Sequence, residues 1–371
     1  MVVQSGMTGL QGLLEHYVGD GTLPGAVAAV ARGGEVEVAV AGTLGLGGSA
    51  PMTRESIFRF ASITKPITAA ALLTLVDDGV VALEDPVGRW LPELAEPVVV
   101  RTPGGPVDDV VPANRPITVF DVLTSQAGWG FPSDFGLPAV QALFPVQPDG
   151  REVQRFPPVD EWLAALGRVP MLYQPGESWL YDTCSAIQGT LIARVTGTSL
   201  PDFLSERIFG PLGMDDCGFT VPESARDRFT SFYKASPDGL VLADGPDGQW
   251  ATAPAFPLGS GGLAGTVDDW VAFGRMLLAG GEPVLSRESV RLMATDHTTA
   301  AHREIGALFL DGGGWGMGGG VDGTRYGWVG GTGTSAHVHF ATGTVAVMCT
   351  QVGVDSPAPM EWLHEFWRLT S

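Results

Sequence analysis

The distribution of apolar and polar positions divides the chain into three textures. Residues Met7 to Val18 place apolar side chains along one side of a short amphipathic helix. Two β-like runs follow, Ala26–Ala31 and Glu35–Val40, separated by Arg32-Gly-Gly34. Gly-Gly between such runs is a hairpin signal. After the apolar Ile57-Phe-Arg-Phe60, the segment from Ile63 is rich in apolar residues and alanine and predicts a helix that stops at Gly79.

The middle of the chain alternates loops and helices. Residues 95–116, rich in Pro, Gly and Asp, and residues 131–158, rich in Pro, read as long surface loops. Helical patterns return at Val159–Leu166, Cys184–Val195 and Leu200–Ile208. Past residue 225 short strands, turns such as Pro237-Asp-Gly239 and glycine-rich segments take over. One helical stretch, Val267–Leu278, interrupts them, and an amphipathic Met360–Leu369 closes the chain. Strands, then helices, then strands predict an α/β sheet interrupted by a helical insertion. The sheet domain is expected to comprise residues 1–80 plus 225–371, and the mainly helical one residues 81–224. No period indicates a repeat protein.

Composition narrows the partners. A chain of 371 residues with 44% apolar and 17% charged residues can bury a core and is unlike a disordered chain. A formal charge of −20 without a basic run excludes the usual nucleic-acid footprint. Three scattered cysteines, Cys184, Cys217 and Cys349, suggest neither a disulfide framework nor a metal site, so a reducing compartment is expected. The N-terminal residues show no basic stretch before an apolar run, and no segment reaches the roughly 18 apolar residues of a membrane span. The reading is a soluble, cytoplasmic protein without a membrane partner.

Candidate chemistry begins with the two lysines, Lys65 and Lys234. Each has a serine three residues earlier, in Ser62-Ile-Thr-Lys65 and Ser231-Phe-Tyr-Lys234. Ser62 lies where a strand-like run gives way to a helix, and a helix N-terminus offers free backbone N–H groups and favours negative charge. One turn on, Lys65 would project beside Ser62, with its ammonium form disfavoured by the positive helix end. Ser231 precedes a Pro-Asp-Gly turn and opens no helix. Ser62 is the better nucleophile, although the pair alone also fits a helix cap beside a solvated lysine.

A lysine with an ordinary pKa near 10.4 is a poor base at neutral pH, so a second proton relay is wanted. Among five tyrosines, Tyr181 follows the turn Gln174-Pro-Gly176 and immediately precedes a helical segment, a junction suited to catalytic side chains. The glycines of Tyr326-Gly-Trp-Val-Gly-Gly-Thr-Gly-Thr334 permit close approach of backbone to a ligand, as an oxyanion hole requires. A packing tyrosine and a glycine-rich hairpin are the plain alternatives.

Taken in order, Ser62-x-x-Lys65, Tyr181-Asp-Thr183 and Trp328-Val-Gly330 resemble the three motifs of the serine β-lactamase and penicillin-binding-protein superfamily. Within it the chain is most similar to class C β-lactamase-related esterases, the family VIII carboxylesterases. Ile117-Thr-Val-Phe-Asp-Val-Leu-Thr124, Pro211-Leu-Gly-Met214 and Gly261-Gly-Leu263 extend the likeness over roughly residues 8–355. The resemblance implies an antiparallel sheet flanked by helices, with an inserted helical domain and the active site between them. It makes Ser62 the nucleophile, Lys65 its activating partner and Tyr181 the shared proton relay. It puts the oxyanion hole at the N–H groups of Ser62 and Gly331, and Thr183, Trp328 and Gly330 against the substrate. No metal or cofactor is implied.

Departures from the family pattern bear on substrate. Trp328 stands where the β-lactamases carry a lysine, Thr183 where they carry asparagine, and Val122-Leu-Thr-Ser-Gln-Ala-Gly128 lacks a common histidine. An uncharged small-molecule ester is the expected substrate, with amide or D-amino-acid peptide hydrolysis, acyl transfer or a non-catalytic binding role as alternatives. No GxSxG or Walker A sequence occurs. Gly314-Trp-Gly316-Met-Gly-Gly319 fits GxGxxG without a following helix, and His337-Val-His339 reads as exposed strand histidines rather than metal ligands. Cys184, near Tyr181, reads as a buried thiol.

Overall fold

The computed structural model describes residues 9–355 and 360–371. Its centre is a seven-stranded sheet. Strands β1 (Gly25–Arg32) and β2 (Glu35–Gly42) come from early in the chain. Strands β3 (Gly314–Trp315), β4 (Gly320–Asp322), β5 (Arg325–Gly330), β6 (Thr334–His339) and β7 (Thr344–Thr350) come from late in it. The order is β2-β1-β7-β6-β5-β4-β3, and every neighbouring pair is antiparallel. The expected hairpin forms: Arg32 pairs with Glu35, and Gly33 takes φ +57°, which a side chain would disfavour.

Both faces of the sheet are covered, which makes three layers. Ala26, Ala28 and Val30 of β1 join a core with helices α1 (Gly9–Gly19) and, at the end of the chain, Glu361–Thr370. Val27, Ala29 and Ala31 point the other way, into the larger core. Two-sided burial is why β1 reads as a continuous apolar run rather than an alternation. The larger core contains α2 (Lys65–Asp77), whose residues from Lys65 to Leu75 are all buried. Helices α3 (Thr183–Thr196) and α4 (Val267–Leu278) join the same core. Helix α4 has the expected bounds because Thr266 and Asp269 cap it reciprocally, through Asp269 N to Thr266 Oγ1 at 3.2 Å and Thr266 N to Asp269 Oδ2 at 2.8 Å. Glu361–Thr370, hereafter α5, lies one residue from the expected Met360–Leu369.

Several expectations need correction. Residues 95–116 are not all loop, since Val98–Val100 and Val110–Pro112 pair as a small hairpin. The segment 131–158 contains the helix Pro138–Leu143, with proline in the first turn where its missing N–H costs nothing. Short helices at Arg287–Met293 and Ala300–Ile305 were hidden in the strand-like texture; serine and threonine caps start both. Leu200–Ile208 is helical only to Leu204 before a wider π turn over Ser205–Phe209. His337 and His339 are buried, because α5 lies over this strand face with Trp367 against His337 at 5.7 Å between ring centroids. Met7 and Thr8, the start of the first expected helix, lie outside the described residues. Among the described residues no helix is long and apolar enough to cross a membrane.

Candidate active site

The segment carrying Ser62 is anchored before the helix begins. Phe60 N donates to Leu263 O at 2.8 Å, Thr334 Oγ1 donates to Phe60 O at 2.8 Å, and Thr332 Oγ1 donates to Arg59 O at 2.6 Å. Arg59 is itself buried, held by Asp244 and stacked on Phe229 at 4.0 Å. These ties draw the end of β5 against residues 60–61 so closely that a Cβ at Gly330 would collide with the Phe60 carbonyl and Thr334 Oγ1. Ala61 pays the strain with φ +46°, a backbone state unusual for alanine and typical of functional junctions. A single 3₁₀ turn, Ala61–Thr64, then leads into α2 and leaves Ser62 half-buried at its rim.

Ser62 Oγ lies 2.9 Å from Lys65 Nζ and 2.9 Å from the Tyr181 hydroxyl. The structure therefore brings together the three residues singled out from the sequence. Lys65 is fully buried, and its three N–H donors are all used: on Ser62 Oγ, on Asp182 Oδ1 at 2.7 Å and on Ser260 O at 2.7 Å. Burial alone would discharge the ammonium, but the Asp182 carboxylate and the Tyr181 oxygen outweigh it and hold its pKa above the ordinary lysine value. The sequence-based expectation of a disfavoured ammonium is thus overturned by a carboxylate that the helix-end argument did not include.

Asp182 has φ +78°, and its second oxygen accepts from Gln147 Nε2 at 2.8 Å. Trp328 Nε1–H donates to the Tyr181 oxygen at 2.8 Å. The phenol is further bracketed by Phe309, stacked on its ring at 4.4 Å, and by Lys65 Nζ 4.7 Å from the ring centroid.

A cleft of about 690 Å³ opens over these groups, with Ser62, Tyr181, Trp328, Gly330 and Gly331 in its walls. Gly331 O accepts from Val354 N at 2.9 Å and faces Arg151 Nη1 at 3.5 Å. Thr183 is placed differently from the expectation that it meets the substrate. It begins α3 fully buried and is absent from the cleft wall, where Asp182 stands instead. Ser231 lies apart, its N–H bonded to Leu44 O ahead of the hairpin Phe232–Ser236/Gly239–Asp244 that carries Lys234. Cys184 is buried, and burial pushes its thiol up to about 12, so it is no nucleophile at neutral pH.

Sequence reasoning missed Asp182, Gln147 and the aromatic wall. Asp182 carried one signal, its adjacency to Tyr181. The cations of the cleft wall, Arg151 and Arg155, are each matched by carboxylates: Asp149 and Asp355 for Arg151 at 2.7 and 2.9 Å, Glu152 for Arg155 at 2.5 Å.

Sheet, helices and a Ser-Lys-Tyr cluster at the floor of a cleft, with only the lysine fully buried, are those of a serine hydrolase. The Beta-lactamase family matches residues 10–364, and the chain belongs to it. Protein Rv1367c of Mycobacterium tuberculosis strain H37Rv is 36% identical over 322 residues, covering 84% of this chain and 78% of that protein. Esterase EstB of Burkholderia gladioli is 32% identical over 277 residues, covering 70% of this chain and 67% of that protein. Among solved structures, EstCE1, a hydrolase with promiscuous acyltransferase activity, shares the fold with a TM-score of 0.82 at 22% identity, covering 97% of each chain. The family and fold expected from the three motifs are borne out.

Proposed function

We propose that the protein hydrolyses a small, neutral carboxylic ester through an acyl-enzyme on Ser62. The observation that carries this reading is the pair of 2.9 Å contacts from Ser62 Oγ to Lys65 Nζ and Tyr181 Oη. Ser62 Oγ attacks the ester carbon while its proton passes to the Tyr181 oxygen, which enters this step as the phenolate. Lys65, kept as ammonium by Asp182, and the Trp328 indole N–H stabilise negative charge on that oxygen. The N–H groups of Ser62 and Gly331 receive the carbonyl oxygen as it becomes an oxyanion. Tyr181 returns the proton to the departing alcohol, and water then repeats the sequence on the acyl-Ser62 ester. Trp328 and Gly330 wall the substrate.

Neutral substrates are favoured because the cations of the cleft wall are already engaged by carboxylates among the described residues. The resemblance of 32% to a protein named as an esterase supports the ester over the amide. A fluorophosphonate probe tests the proposal directly. Covalent labelling on Ser62, a burst of alcohol release from a short-chain aryl ester, and loss of both in Ser62→Ala are expected. Tyr181→Phe is expected to lower kcat by a factor on the order of 10². Labelling elsewhere, with turnover retained in the folded Ser62→Ala protein, would overturn it.

A further inference from the structure

Four phenylalanines converge beside the reacting groups from three separate segments. Phe131 and Phe135 flank a turn, Phe144 ends the helix Pro138–Leu143, and Phe309 sits on the short helix Ala307–Leu310. Their rings form one continuous wall, with centroids 5.1 Å apart for Phe131–Phe144, 6.2 Å for Phe131–Phe135 and 6.1 Å for Phe135–Phe309. All four face the cleft. Phe135 and Phe144 remain 37% and 42% exposed, although each buries part of its surface on the others. Exposed aromatic rings gathered at a concave site mark a place where apolar ligand surface is covered.

We infer that this aromatic box is the subsite for the alcohol portion of the ester, and that it takes a bulky, uncharged aromatic or alicyclic group. The inference rests on the proposed ester hydrolysis and adds which half of the substrate is recognised. The leaving oxygen must come within hydrogen-bond reach of Tyr181 Oη to be protonated. Phe309 lies flat on the Tyr181 ring, with 24° between planes, so the phenylalanine wall begins at the residue that protonates the leaving oxygen, with Trp328 Nε1 2.8 Å from the same hydroxyl. The carbonyl oxygen must point instead toward Gly331, where the neighbouring side chain is Arg151 with its carboxylates. One end of the cleft is therefore aromatic and the other ionic. A planar or alicyclic group stacked between such rings gains burial and ring–ring contact together.

The same box holds an acceptor when the step runs backward. An alcohol seated there attacks acyl-Ser62: its oxygen bonds the acyl carbon, the Ser62 ester bond breaks, and the alcohol proton travels through Tyr181 to Ser62 Oγ. Transfer to a bulky alcohol then competes with hydrolysis.

Three esters separate the possibilities with leaving groups of similar acidity: n-propyl acetate, 3-phenylpropyl acetate and n-propyl 3-phenylpropanoate. The ring on the alcohol side is expected to raise kcat/KM about 10- to 100-fold over n-propyl acetate, and the ring on the acyl side less than about threefold. In the Phe135→Ala/Phe144→Ala protein, truncated at two part-exposed positions, the ratio of the first two esters is expected to fall toward one. 3-Phenylpropanol added during n-propyl acetate turnover is expected to yield 3-phenylpropyl acetate in the parent protein and much less in the double variant. A parent protein that labels on Ser62 yet gives equal kcat/KM for the first two esters overturns the subsite and leaves esterase chemistry standing. A gain confined to the acyl-side ring overturns it equally. Absence of both labelling and turnover removes the esterase reading and this inference with it.

Discussion

Lys65 Nζ and Asp182 Oδ1 are 2.7 Å apart, and the lysine is wholly shielded from solvent. The contact joins the first turn of α2 to the residue just before α3, so it fixes the spacing of Ser62 and Tyr181 as well as their electrostatics. A buried ammonium without its carboxylate would shed its proton, because desolvation favours the neutral amine.

That relationship makes Asp182→Asn informative. The amide keeps the shape but removes the charge that holds Lys65 above its ordinary pKa. With burial left to act, the lysine pKa falls, and the ammonium is lost at lower pH than in the parent protein. The alkaline limb of the kcat/KM profile for an aryl ester is therefore expected to move toward acid, with kcat at pH 8 reduced by at least about tenfold. An unmoved alkaline limb in a folded variant would show that Asp182 does not set the charge on Lys65.

Trp328 contributes an indole N–H to the Tyr181 oxygen as well as an apolar surface. Trp328→Phe keeps most of the wall and deletes the donor. Hydrogen bonds to a charged group are worth roughly 1.5–3 kcal/mol, so kcat is expected to drop about 10- to 100-fold with KM for a short ester changed less than about twofold. A change in KM alone would limit Trp328 to its part in the substrate wall and remove its role at the Tyr181 oxygen.

Much of this arrangement was legible in the sequence, for identifiable reasons. Val267–Leu278 was bounded correctly because its cap is local, and the β1–β2 hairpin because Gly33 is the turn residue its geometry demands. Ser62, Lys65 and Tyr181, which the structure brings together, were singled out by residue type and junction and then by the order of the three motifs. The Lys65–Asp182 pair spans 117 positions, so no local pattern announces it, and it reversed the expectation for the lysine charge. Phe131, Phe135 and Phe144 lie in a proline-rich segment that reads as loop, and only folding brings Phe309 to them. Short helices such as Arg287–Met293 offer two turns at most, too little for periodicity to register.

The matched charges of the cleft also predict selectivity against anionic β-lactams. A cephalosporin carboxylate would find Arg151 already holding Asp149 and Asp355, and Trp328 in place of a lysine. For a neutral short-chain aryl ester, kcat/KM is expected to exceed that for a cephalosporin by on the order of 10² or more, since an unpaired charge entering the site costs several kcal/mol less whatever it regains. Comparable values from parallel spectrophotometric assays would contradict this.

His337 gives the fold a pH dependence separate from catalysis. Its ring is buried on β6, with Nδ1 3.2 Å from Ser335 Oγ, which also accepts from Trp367 Nε1 at 2.9 Å. Burial, with Arg325 and His339 nearby, holds the imidazole well below the ordinary histidine pKa. The unfolded chain therefore binds a proton near pH 6.5 that the folded protein does not. Stability from this group is complete above that value and declines as pH falls below it, by about 1.4 kcal/mol per unit. His337→Gln has no such proton to exclude. Between pH 7.5 and 5.5 the parent protein is expected to lose about 1.4 kcal/mol more unfolding free energy than the variant, measured by urea denaturation. Equal losses would mean that the ring titrates alike in both states, and that the packing of α5 over β6 does not exclude the proton.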